Sequence, residues 1–117
     1  MAQGAIVFCW GPTVRGREQK ALEVFAESVG YYEDLLKNHR ITAHSPFIST
    51  DHNGGMWIVQ GEMMELATIR QEDAYVRLVA RVQMVVEDFS VESYRGGSAE
   101  DLTDVLTMFG ETIQQFA

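Results

Sequence analysis

The sequence predicts an α+β domain with elements in the order β-α-β-β-α-β and one further helix appended. Three observations carry that expectation. Ala5 to Trp10 (AIVFCW) is an unbroken apolar run closed by Gly11-Pro12. Such a run reads as a strand covered on both faces, and it is too short for a buried helix. Met56 to Gly61 (MWIVQG) has the same character and follows a stretch dense in turn formers. Between and beyond these runs, apolar residues recur at the helical steps of three and four.

Taken in order, the first strand is followed by a TVRG loop and a helix from about Arg17 to Asn38. Its buried stripe is Ala21, Phe25, Val29, Tyr32 and Leu36, and Glu18, Lys20, Glu23, Glu27, Asp34 and Lys37 lie opposite. Arg40 to Thr50 reads as a second strand, and Pro46, which cannot donate a ladder hydrogen bond, places it at an edge or a bulge. Ser49 to Gly55 (STDHNGG) supplies a hairpin turn at Asn53-Gly54, and Met56 to Gly61 returns as the third strand. Glu62 to Arg70 and the stretch from Ala74 to Val82 are helical by period. From Met84 to Tyr94 the period changes to two, predicting a fourth strand with Val85, Glu87, Phe89 and Val91 on one face. Gly96-Gly97 is a hinge, and Ser98 caps a last helix with a stripe of Leu102, Val105, Leu106, Phe109, Ile113 and Phe116. This order is that of the ferredoxin-like sandwich, two βαβ units in tandem. Its helices cover one face of the sheet. The apolar residues of the other face call for a cover, either a second copy of the chain or the last helix folded back.

The totals narrow the function classes. A chain of 117 residues is one domain by length. With a formal charge of −8 and scattered Lys and Arg, it has no basic stripe for nucleic acid or for an anionic membrane surface. The N-terminal stretch lacks a charged leader pattern, and its apolar run is too short to span a bilayer. Cys9 is the one cysteine and lies in the first apolar run, where it is expected as a small buried hydrophobe. With no internal disulfide possible, a reducing cytoplasm is the expected setting.

One stretch carries a family resemblance, from Tyr31 to Val91. It includes Leu35-Leu36 with Arg40-Ile41, the turn from Asp51 to Gly54-Gly55, the strand Met56 to Gly61, and the passage Ala74 to Val91 (AYVRLVARVQMVVEDFSV). This layout resembles the dimeric α+β barrel superfamily, and within it the YCII-like and antibiotic-biosynthesis-monooxygenase-like proteins. The resemblance implies that two ferredoxin-like sheets pair into a barrel. Residues 1–97 would form the barrel domain, and residues 98–117 an appended C-terminal helix of that domain. It further implies a homodimer binding a hydrophobic or aromatic small molecule, with cofactor-independent monooxygenase or isomerase activity and no cofactor. The YCII-like proteins are associated with a His on the first helix and an Asp-Pro-Phe element. Here Ser28 stands near the first position, and the element reads Asp73-Ala74-Tyr75, so Asp73 alone carries over as a catalytic candidate. The other reading is a non-catalytic dimeric module with a filled barrel. An open, partly polar pocket near Trp57 and His44 would separate the two.

Six more residues are candidates on their own chemistry. Trp57 and Trp10, in the central strands, can stack on a planar ligand or simply fill the core. His44 can act as a base or hydrogen-bond partner, or sit as a satisfied polar group at a seam. Glu87, a carboxylate on an apolar strand face, would have a raised pKa if buried, unless an Arg pairs with it. Arg15 and Arg17 precede the first long helix, where they oppose its dipole. They would hold a carboxylate or phosphate there, or pair with Glu18. His39, His44 and His52 lack the spacing of a metal motif, and no metal is expected.

Overall fold

The computed structural model describes residues 2–116. Its elements are β1 (Gln3–Trp10), α1 (Glu18–Lys37), β2 (Ala43–Ile48), β3 (Gly55–Glu62), α2 (Met63–Gln71), α3 (Asp73–Val85), β4 (Ser90–Arg95) and α4 (Ala99–Gln115). The four strands form one antiparallel sheet in the order β2-β3-β1-β4. This is the ferredoxin-like α+β fold, with the two most apolar strands at its centre and Pro46 on an edge strand. The pairings Ile6↔Val59 and Phe8↔Trp57 put four large side chains on the face that α1, α2 and α3 cover. They meet Tyr32 and Leu35 of α1, Leu66 and Ile69 of α2, and Tyr75 and Leu78 of α3 in a single core.

The ends of the elements follow from local chemistry. The β2–β3 turn closes through Gly54, whose φ of +129° glycine alone adopts cheaply, and Ser49 N–H donates to Gly54 O at 2.9 Å. The Glu62 carboxylate caps α2 by accepting from Glu65 N–H at 2.8 Å. Arg40 clamps the elbow between α2 and α3. Its guanidinium donates to both Glu72 oxygens at 2.8 and 2.7 Å and to Glu65 at 2.7 Å.

The structure corrects the expected fourth strand. The helical period of Tyr75, Leu78, Val82 and Val85 persists through Val85, so α3 takes residues that alternation alone assigned to a strand. β4 begins at Ser90. Glu87 therefore lies in the connector, exposed, with its backbone joined to Gly11 and Pro12 and its side chain off any strand face. Asp88 turns the chain there with φ +56°.

The first strand is also covered differently from expectation. Within one chain β1 is buried on the helix side only. Ala5 and Val7 are half-buried on the other side, and Cys9 is exposed rather than buried. Register places Val7 beside Ile58, and Cys9 beside Met56, which in turn opposes Phe47. The result is a sheet face with an apolar patch, bordered by Glu92 beside Val7 and Gln60 beside Ala5, that no described element of the chain covers. α4 does not fold back over it. Ser98 caps α4 by accepting from Asp101 N–H at 3.2 Å, and buried Asp101 accepts from Gln3 N–H at 2.7 Å. Beyond Val105, every described residue of α4 is exposed. The radius of gyration is 16.5 Å, against about 13.4 Å for a compact chain of this length. The difference reflects a helix standing away from the body.

Candidate functional site

A cavity of about 70 Å³ lies between the helix-facing side of the sheet and the α1–α3 pair, and it is open on one side. Its floor is Phe8, Trp10 and Trp57 from the central strands. α1 lines one wall with Ala21, Val24, Phe25, Ser28 and Tyr32, residues at the three-and-four spacing that returns to one helix face. α3 lines the other with Leu78, Val79, Val82 and Val85, and Val86 and Phe89 follow from the connector.

The walls are aromatic and almost wholly apolar. Trp57 is 4% exposed and meets Phe25 at 5.2 Å and Tyr32 at 5.4 Å between ring centroids, both tilted. Phe8 stacks on Phe89 at 6.1 Å. Phe25, 37% exposed, stands at the rim. The volume has room for no more than a few water molecules. Trp10 lies over Gly55. A Cβ at position 55 would come within 2.7 Å of the indole and run into the Phe47 carbonyl, so glycine there is what lets Trp10 form the floor.

Two polar groups meet this apolar space, and a third arrangement stands behind it. Ser28, buried, donates its hydroxyl to Val24 O at 2.8 Å, which leaves its oxygen lone pairs free to accept. Burial raises the Tyr32 phenol well above its ordinary range, so it stays protonated at any physiological pH. The third is a relay. Trp57 Nε1–H donates to His44 Nδ1 at 3.1 Å, and His44 Nε2 lies 2.7 Å from Glu33 Oε1. An acceptor role at Nδ1 requires the proton at Nε2, which then donates to Glu33. The imidazole is stacked near Trp57, ring centroids 5.8 Å apart, and its side chain is only 5% exposed. Both ring nitrogens are engaged, so His44 orients the indole and does not face the cavity as a free base.

The other sequence candidates lie elsewhere. Asp73 opens α3 and is exposed, and Glu87 is exposed in the connector. Arg17 Nη1 donates to Met84 O at 2.6 Å, tying the loop before α1 to the end of α3. Glu18 reaches back to accept from Gly16 N–H at 3.1 Å, which places a carboxylate at this helix start. Arg15 is exposed on the same loop. A surface groove beside it holds Arg17, Lys20 and Arg81, each engaged with Met84, Glu23 or Glu27. Among the described residues, no three His, Cys, Asp or Glu side chains converge as metal ligands. None of their helices is long and apolar enough to cross a membrane.

Sequence reasoning reached Trp57, Trp10 and His44 but passed over Glu33, Phe25 and the role of Ser28. Ser28 was the readable one, a polar residue three steps from Phe25 and four from Tyr32 in an otherwise apolar stripe. Glu33 gives no such signal, because an acid on a long helix reads as an ordinary solvated residue.

No protein-family model and no curated relative matches the sequence. Solved structures do. A Bacteroides thetaiotaomicron protein described as a possible oxidoreductase aligns with a TM-score of 0.61 at 18% identity, over 81% of this chain and 97% of its own. SnoaB, a cofactor-independent oxygenase from Streptomyces nogalater, aligns with a TM-score of 0.58 at 13% identity, over 84% of this chain and 94% of its own. A protein from Shewanella oneidensis aligns with a TM-score of 0.59 at 16% identity, over 81% and 91%. At these identities the likeness is one of architecture: the chain shares the α+β fold of a cofactor-independent oxygenase.

Proposed function

We propose that the protein is a homodimer whose subunits each take a flat aromatic or hydrophobic small molecule into the cavity beneath Trp57 and oxidise it with dioxygen, without a cofactor. The observation that carries this reading is the Glu33–His44–Trp57 relay behind an otherwise apolar recess. The relay satisfies a buried indole N–H and at the same time fixes the ring in one orientation beside open space, the setting that a stacking ligand needs. Likeness to an oxygenase favours oxidation over isomerisation. In such a reaction the substrate supplies the electrons: a CH2 group and O2 become C=O and H2O, one oxygen atom entering the product and the other leaving as water. The chain's part is to exclude water, stack the substrate against Trp57 and offer the Ser28 oxygen and the Tyr32 hydroxyl to its polar groups. The homodimer closes the bare sheet face, whose Val7, Ile58, Met56 and Phe47 form the kind of patch that marks an interface.

A second reading, a self-associating module without catalysis, is favoured by the small cavity volume, since ordinary ligand sites run from about 300 Å³ upward. One experiment separates the two. Native mass spectrometry of freshly purified protein, followed by titration with a naphthol read by tryptophan fluorescence, should reveal a bound small molecule or saturable quenching. Trp57→Ala should weaken that binding at least tenfold while the chain stays folded. No copurified molecule and no saturable quenching would leave the module.

A further inference from the structure

α4 is an unusual element to leave bare. Its root is fixed: Gly96 and Gly97 turn the chain at φ +136° and +104°, Ser98 caps the first turn, and Asp101 holds the backbone of Gln3. Past that root, Leu102, Leu106, Phe109, Ile113 and Phe116 are all half or more exposed. Their spacing of four, three, four and three is the seam of a helix that lies against another apolar surface, helix above all. The positions flanking the seam are Thr103, Val105, Gly110 and Thr112, without charge, while Asp104 and Glu111 lie on the far side. A copy of the same chain therefore meets the seam without opposing like charges. From Ser98 onward the chain has four acids and no Lys or Arg, which rules out an anionic lipid surface or nucleic acid as the occupant.

Area points the same way. A face of four strands, six to eight residues long, presents about 450 Å² at ordinary strand spacings. A stable interface buries about 800 Å² of accessible surface per partner, so a sheet outline of this size stands at the lower margin by itself. A helix of 17 residues is about 25 Å long, and its apolar stripe adds on the order of 250 Å². Sheet face and stripe together approach the requirement.

We propose that α4 is an arm whose Leu102–Phe116 seam is covered by the second copy of this chain, so that the dimer is held at two separate places. The proposal rests on the homodimer reading above. The test is light scattering across a dilution series for the full-length wild type, for Val7→Glu on the sheet face, and for Phe109→Glu with Ile113→Glu on the arm. The wild type should weigh twice 13.2 kDa. The arm variant should keep the wild-type circular dichroism, since both side chains are exposed in the single chain, while its dissociation constant rises about 100-fold. An unchanged dissociation constant in the arm variant, with Val7→Glu monomeric, overturns the arm and leaves the sheet dimer standing. A wild type that is monomeric throughout overturns both. Isotope-filtered nuclear Overhauser spectra of a co-refolded labelled and unlabelled mixture give a second reading. Contacts from the Leu106 and Ile113 methyls should cross between copies, and contacts only within a copy overturn the proposal.

Discussion

Trp57 earns its orientation from two residues that never touch the cavity. A buried indole N–H without an acceptor costs about 1–3 kcal/mol, and His44 Nδ1 is its acceptor. His44→Phe should therefore lower the unfolding free energy by about that amount and let the indole rotate. Urea unfolding and the tryptophan emission maximum report the two effects separately. Gly55→Ala acts at the other indole. It drives a methyl into Trp10 and the Phe47 carbonyl, and should cost roughly 1–3 kcal/mol through forced displacement. Of this site, the two tryptophans and His44 were legible as candidates because large aromatics and a histidine stand out within strands, but an unbroken apolar run does not say which face each takes. Glu33 was not, since its value comes from a residue 11 positions away on β2. Glu87 misled for a related reason: its apolar neighbours belong to a helix turn, and only the spacing from Tyr75 onward discriminates.

At the scale of the elements, the Arg40 clamp couples the approach to β2 with the α2–α3 elbow. The Arg40 hydrogen bonds hold the Glu72 carboxyl below its ordinary range, and the nearby guanidinium charge adds to this. A carboxyl whose folded pKa lies below its unfolded value stabilises the fold above the unfolded pKa, about 4.3 for Glu. That contribution disappears as the pH falls through the folded value. Glu72→Gln should thus be less stable than wild type at neutral pH, with the gap closing on acidification below about pH 4. Thermal melts at a series of pH values measure the gap, and a deficit constant with pH would contradict the assignment. Element order, the central strands and the edge position of β2 were readable from apolar runs, Pro46 and the turn formers. The start of β4 was not. Val82 and Val85 serve a helical stripe, yet with Met84 and Val86 they make an apolar stretch in which the two periods overlap.

For the whole molecule, the sequence gives apolar residues to both sides of the sheet, and one chain spends only one side. What would cover the other is not written in any local pattern, because a partner's contribution leaves no period in the chain that it meets. The candidate cavity was legible as a location, between the central strands and the helices. Its small volume was not, because it depends on how Phe25, Tyr32 and Phe89 settle against one another.

Cys9 offers a direct readout of the proposed dimer. It is the sole thiol in the chain and stands on the bare sheet face, beside Met56 and Ser90 across the ladders. In the lone chain it is open to a reagent; between two sheets it is shut away. Alkylation by iodoacetamide should accordingly slow as protein concentration rises and speed up in Val7→Glu, which turns a single sulfur atom into a chemical clock for the lifetime of the assembly.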